Sequence, residues 1–178
     1  MLTSYGLSGI CIFNLSGIAN YAINNNSNVE ISINFLPFLN SDNIYDYFDE
    51  RSKTFNAPID KFLESLMNYK LIYVILDKSN ISKNKKWNEL TTIEKKSLCN
   101  NLIDFRVKIL SSKTFSNSQV TMGGVDTKEI NPITMESKKV KNLYIVGELV
   151  DVDGDCGGYN LGFAWISGLI AGRSVDND

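Results

Sequence analysis

One stretch, NLYIVGELVDVDGDCGGYNLGFAWISGLIAG from Asn142 to Gly172, constrains this chain more than any other. Leu143 to Val146 is a short apolar run rich in β-branched and aromatic residues, which predicts a strand buried on both faces. Gly147 ends it, and a polar, glycine-bearing loop follows from Glu148 to Gly158. Tyr159 to Gly172 then carries apolar residues on every side, the pattern of a helix inside a core. Strand, glycine loop and helix together make a ligand-binding unit.

A helix N-terminus offers backbone N–H groups and a partial positive charge, and Gly157 and Gly158 let a ligand approach the backbone closely. Yet Glu148, Asp151, Asp153 and Asp155 load the loop with negative charge, which opposes a phosphate packed directly against them. Carboxylates at the end of a strand suit ribose-like hydroxyls better. The loop therefore favours a sugar and a heteroaromatic ring. The functional weight falls on Gly147, Glu148, Gly157, Gly158, Tyr159 and Asn160.

Asp151, Asp153 and Asp155 have the spacing of the first three ligands of a calcium loop, but Cys156 stands where glycine is needed and Gly162 where the bidentate glutamate is needed. No metal site is expected. Cys156 precedes a helix start, with no base evident to activate it, and reads as a packed thiol. On the helix, Ala164, Gly168 and Gly172 recur every fourth residue, a smooth strip along which another backbone can lie.

With 178 residues, 43% of them apolar, the chain can bury a genuine core. Its net charge of −2 gives no electrostatic footprint for nucleic acid or an anionic membrane, and the basic run Lys78 to Lys86 reads as a solvated loop. Glu30 is the first charged residue, but Gly and Ser interrupt the apolar run before it and no basic segment opens the chain, so no signal peptide is expected. No stretch is long and apolar enough to span a membrane. Cys11, Cys99 and Cys156 lack paired spacing and suit reduced thiols in a cytoplasmic protein. There is no histidine, which excludes imidazole catalysis and histidine-ligated zinc within the chain.

Elsewhere, a glycine-containing turn from Tyr5 leads into a short helix starting near Ser8 and carrying Ile10, Phe13 and Ile18. Val29, Ile31, Ile33 and Phe35 alternate with polar residues as a half-buried antiparallel strand. One helix is expected around Ile44, Phe48 and Arg51, and a second after Pro58; Leu71 to Leu76 reads equally as strand or helix. The segment Thr91 to Ile109 opens with TTIE, a capping box, and reads as a helix with Leu98, Leu102, Phe105 and Ile109 along one face. Residues 41–110 thus form a small helical subdomain. Phe115, Val120 and Val125 read as strand-like, Gly123-Gly124 as a bulge or positive-φ turn, and Asn131-Pro132 as a turn.

The segments VTMGGVDTKEINPITMESK, NLYIVGE and GELVDVDGDCGGYNLGFAWISGLIAG, with TSYGLSG near the amino terminus, resemble the carboxy-terminal region of the bacterial NAD(P)/FAD-dependent oxidoreductases of the aminoacetone-oxidase-like and BaiN-like kind. The resemblance implies an α+β fold: an insert with antiparallel, barrel-like strands and the helical subdomain over residues 1–115, then residues 116–178 returning to an FAD-binding domain. It implies FAD as cofactor, with Glu148 facing ribityl or ribose hydroxyls and the Gly157, Gly158, Tyr159, Asn160 and Leu161 backbone near the ring's carbonyl edge. A helix dipole there would favour charge on the reduced ring by roughly 0.3 to 1 kcal/mol. Gly162 and Ile10 depart from the glutamine and proline common in the family. The GxGxxG motif that grips the FAD pyrophosphate is absent, so the chain resembles the last half of a flavoprotein whose amino-terminal half is a separate requirement. A non-catalytic binding domain and a cation-binding module are the alternatives. Catalytic residues and substrate are not assigned.

Overall fold

The structure is a computed structural model describing residues 2–4, 6–113 and 115–175. Tyr5, where the first turn was expected to begin, and the side chain of Phe115 lie outside what is described. The chain divides into two compact units, Asn28–Ile109 and Met1–Ser27 with Leu110–Asp178.

In the unit Asn28–Ile109, the alternating run forms strand β3 (Val29–Ile33), paired antiparallel with β4 (Phe105–Ile109) in the register Val29 to Ile109 through Ile33 to Phe105. Between them lie α2 (Ile44–Thr54), α3 (Ile59–Glu64), α4 (Tyr69–Lys78) and α5 (Thr92–Ile103). The ambiguous Leu71 to Leu76 is helical because Asn68 caps α4, its Oδ1 accepting from Lys70 N at 3.0 Å, and Ile72, Ile75 and Leu76 fall on one buried face. The Thr91 capping box forms as expected, Thr91 Oγ1 accepting from Glu94 N and Glu94 Oε2 from Thr91 N, but the helix it starts stops at Ile103 rather than Ile109. Phe105 and Ile109, expected on its apolar face, lie instead on β4, where pairing with β3 takes up the backbone. The core is aromatic at its centre. Phe48 and Phe62 lie against Trp87 at ring separations of 5.1 and 6.3 Å, within a shell that includes Leu36, Ile59, Ile75, Leu98 and Leu102.

The other unit opens with the two-residue strands β1 (Leu2–Thr3) and β2 (Gly6–Leu7), then α1 (Ile10–Asn24), which has Gly9 rather than a hydroxyl side chain at its cap. It ends with α6 (Tyr159–Val175). Its small core joins Ile130, Met135, Ile145, Val150 and Ala171. The Asn131-Pro132 turn forms, with Met135 N donating to Asn131 O at 2.7 Å.

Three further expectations are corrected. The barrel-like strands are not there: among the described residues the sheets are two two-stranded pairs, β1–β2 and β3–β4, and two strands cannot close. Gly123 and Gly124, with φ of 97° and 156°, break the strand-like run of residues 120–125 before a ladder can propagate. Leu143 to Val146 is extended but is no doubly buried strand: Tyr144 makes an isolated bridge with Glu136, Ile145 N donates to Met135 O at 3.0 Å, and Leu143 stays exposed. Among the described residues only 135–137 are bridged or backbone-bonded to it, so the run belongs to no sheet. Finally, α6 is not enclosed in a core. Of its residues only Ser167 and Ala171 are buried, because one face rests on the Gly147–Leu149 turn while the rest of its apolar circumference stays exposed. Among the described residues no helix is long and apolar enough to cross a membrane.

Candidate functional site

The loop that runs from Gly147 to α6 is built by three anchors. At its start, Gly147 N donates to the buried Ser167 Oγ at 3.0 Å, and that hydroxyl donates to Phe163 O at 2.7 Å. A buried serine in a largely apolar helix is thereby satisfied as donor and acceptor, and the loop is fixed to α6. Gly147 has φ of 64°, the left-handed region open to glycine, and the turn Gly147–Leu149 points Glu148 outward.

The second anchor is the 121–126 segment. Val125 bridges Val150 in parallel, with Val125 N donating to Leu149 O at 2.8 Å and Asp151 N to Val125 O at 3.0 Å. Glu148 Oε1 accepts from Thr121 N at 2.7 Å. The two backbones meet closely at Gly124, where a Cβ would stand 2.6 Å from Leu149 O and 2.9 Å from Asp151 N. The glycine pair is therefore more than turn chemistry: Gly124 is the point of contact.

The third anchor closes the loop. The Asn160 side chain clamps Gly154, its Oδ1 accepting from Gly154 N at 2.7 Å and its Nδ2 donating to Gly154 O at 2.8 Å. Cys156 N donates to Asn14 Oδ1 of α1 at 2.8 Å. Gly158 accepts the first helical bond from Gly162 N, leaving the N–H groups of Tyr159, Asn160 and Leu161 without an intrahelical acceptor. A Cβ at Gly158 would meet nothing within 4 Å, so the approach to this turn is open.

Gly147, Glu148, Gly157, Gly158, Tyr159, Asn160 and Leu161 thus lie along one loop and the first turn of α6, with Glu148, Tyr159 and Leu161 exposed. Glu148 spends one oxygen on Thr121 and the Asn160 amide is committed to Gly154, so Asn160 offers a ligand its backbone N–H. Sequence reasoning missed Asn14, Thr121 and the contact of Gly17 with Met122, whose Sδ would lie 2.1 Å from a Cβ on that glycine. Nothing local marks Asn14, whose partner lies more than a hundred residues away. The exposed Asp151, Asp153 and Asp155 do not converge, and among the described residues no three His, Cys, Asp or Glu side chains form a metal-binding group. The arrangement can present peptide N–H donors, a helix dipole and a carboxylate oxygen to a bound molecule.

Comparison with known proteins gives a family match over residues 15–174, to the model described as HI0933-like protein Rossmann domain. The chain is 34% identical over 182 residues to a 3-dehydro-bile acid delta(4,6)-reductase of Clostridium scindens, an alignment covering 98% of this chain and 43% of that protein. It is 40% identical over 92 residues to a ribosomal RNA dihydrouridine synthase of Escherichia coli, covering 48% of this chain and 23% of that one. A ribosomal RNA dihydrouridine synthase of Haemophilus influenzae is 43% identical over 79 residues, 42% of this chain and 20% of its own length. The chain therefore spans less than half the length of each of these relatives.

Proposed function

The chain belongs to the HI0933-like Rossmann-domain family of flavoproteins, and on that premise we propose that it is the carboxy-terminal portion of an FAD-dependent oxidoreductase, supplying the flavin and ribityl side of the cofactor site. The observation that carries this reading is the open first turn of α6. Gly158 has φ of 96° and no atom where a Cβ would point, beside three N–H groups that the helix does not use.

The residues present fit such a group. Gly157 and Gly158 leave room against the backbone, the N–H groups of Tyr159, Asn160 and Leu161 donate at the positive end of a 17-residue helix, and Glu148 keeps a carboxylate oxygen for a hydroxyl donor. Bound FAD would accept and give up the electrons. The chain's own part is to bind and orient. Ser167 fixes the start of the loop, Asn160 and Asn14 fix its end, and Gly124 lets residues 121–126 brace its middle. The grip on the FAD pyrophosphate would come from polypeptide corresponding to the part of the reductase beyond the matched stretch, so this chain by itself is not a complete catalyst.

The relatives are named for a bile acid and for ribosomal RNA, two unlike substrates. A net charge of −2, without a basic footprint, supports a small molecule for the portion spanned here.

The test is FAD affinity in a protein carrying the complete site. Glu148→Ala is expected to weaken FAD binding about tenfold, the size of one lost hydrogen bond to a charged group. Glu148→Gln retains an acceptor for Thr121 N and separates flavin contact from loop support. Unchanged affinity in both variants, or no flavin bound by the complete protein, would sink the reading and leave a non-catalytic binding domain in its place.

A further inference from the structure

We propose that Cys11 and Cys156 form a reversible thiol–disulfide pair, a modification site that joins α1 to the loop before α6 and is closed by hydroperoxides. The three cysteines are free thiols, but they are not equivalent. Cys99 is buried in the unit Asn28–Ile109. Cys11 is exposed in the first turn of α1, and Cys156 is half-buried in the glycine loop of the same unit.

Asn14 brings the pair together. Cys11 and Asn14 stand three residues apart on α1, neighbours on the helix surface with Cβ atoms about 5–6 Å apart. The Asn14 side chain in turn holds the backbone of Cys156, accepting from its N–H at 2.8 Å. Cys156 is thus fixed one side chain's reach from the helical turn that carries Cys11. A disulfide needs Cβ atoms about 3.5–4.5 Å apart. Gly157 and Gly158, with φ of 151° and 96°, leave the backbone after Cys156 without side chains to hinder the slide that closes the bond.

Exposure makes Cys11 the first sulfur to react. It attacks one oxygen of a hydroperoxide, the O–O bond breaks, a sulfenic acid forms on Cys11, and an alcohol leaves, or water where the oxidant is hydrogen peroxide. The Cys156 sulfur then attacks the sulfenic sulfur, the S–O bond breaks, the S–S bond forms and the second oxygen leaves as water. Each thiol has given up one electron and its proton, and the peroxide has taken up both pairs. A thiol reductant reverses the reaction. Drawing Cys156 onto α1 shifts Gly157 and Gly158, which lead into the first turn of α6. This part of the inference rests on the reading that the turn holds flavin: closing the disulfide weakens FAD binding, and reduction restores it.

The protein is treated with hydrogen peroxide, remaining thiols are alkylated, and unreduced peptides are weighed by mass spectrometry. The expected result is a Cys11–Cys156 linkage within one chain that dithiothreitol removes. In Cys156→Ser the Cys11 sulfenic acid should persist and be trapped by dimedone, and Asn14→Ala should slow closure severalfold. No linkage, linkage chiefly between two copies, or a rate indifferent to Asn14→Ala overturns the proposal. FAD affinity is then measured in a protein carrying the complete site. It should fall about tenfold on oxidation and return on reduction, and an affinity that ignores the bridge overturns its control of the site. A complete protein that binds no flavin in either state sinks only the cofactor reading, and a chain that forms no bridge sinks only the cysteine pair.

Discussion

Asn14 on α1 accepts the backbone N–H of Cys156 at 2.8 Å, tying the first helix to the glycine loop 142 residues later. Three residues on, Gly17 receives the Met122 thioether, whose Sδ would lie 2.1 Å from a Cβ on that glycine. One side of α1 thus holds both segments that frame the candidate site. Replacing Asn14 with Ala should cost about 0.5–1.5 kcal/mol, the net worth of one such bond, and should speed amide hydrogen exchange at Cys156 before it changes exchange in the helical unit. Unaltered exchange at Cys156 would show that the loop holds without α1.

Gly123 and Gly124 separate two effects that sequence alone merges. Both have positive φ, but Gly123 faces open space and Gly124 faces the Leu149–Asp151 backbone. Gly123→Ala should cost about 1 kcal/mol in backbone strain. Gly124→Ala adds a clash with backbone that cannot rotate away, and should cost about 2–4 kcal/mol in all. Chemical denaturation of the two variants checks the order, and equal losses would refute the close approach.

How much was legible follows from how local each signal is. The Thr91 capping box, the alternation in Val29–Ile33 and the apolar spacing around Phe48 and Phe62 depend on near neighbours, and these elements form. Leu143–Val146 and α6 have the composition of buried elements, yet composition does not say what does the burying. Among the described residues only 135–137 pair with the first, and of the second only Ser167 and Ala171 are buried. The barrel failed for a similar reason: alternation marks a strand but not the number of its partners. In the site, Gly157 and Gly158 announce themselves by type, whereas Asn14 and Thr121 act through contacts made across the fold.

Asp49 links electrostatics to the aromatic core. Its Oδ1 accepts from Trp87 Nε1 at 2.6 Å and from Lys95 Nζ at 3.2 Å, and Lys95 also lies over the Trp87 ring. The indole bond above all, with help from Lys95, holds the Asp49 carboxyl below the usual carboxylate range. A depressed folded pKa means that this contribution is present above the unfolded value near 3.8 and is lost as pH falls through the folded value. Asp49→Asn, which keeps an acceptor for the indole but not the charge, should flatten the acid limb of the stability curve. Matching acid limbs in the two proteins would show that the charge is irrelevant to the Trp87 environment.

Cys99 makes the opposite prediction at high pH. It lies in α5, 1% exposed, and burial pushes its thiol up from 9.0 to about 12, with Lys95 pulling weakly the other way. A raised folded pKa leaves stability whole below the unfolded value. Between pH 9 and 12 the unfolded thiol ionises while the folded one stays neutral. The unfolded state then binds fewer protons, and stability should fall by up to about 1.4 kcal/mol per pH unit from this group. The Tyr45 hydroxyl, raised by burial and by Cys99, adds to the decline at its upper end. Cys99→Ala should shallow the alkaline slope whatever it does to absolute stability, and Tyr45→Phe separates the second contribution. Thiol labelling gives an independent check: Cys11 is exposed and should react at once, Cys99 only as fast as its unit opens. An alkaline slope identical in the wild type and Cys99→Ala, or rapid labelling of Cys99 at neutral pH, would show that the thiol is not enclosed between Leu98, Leu102 and the aromatic core.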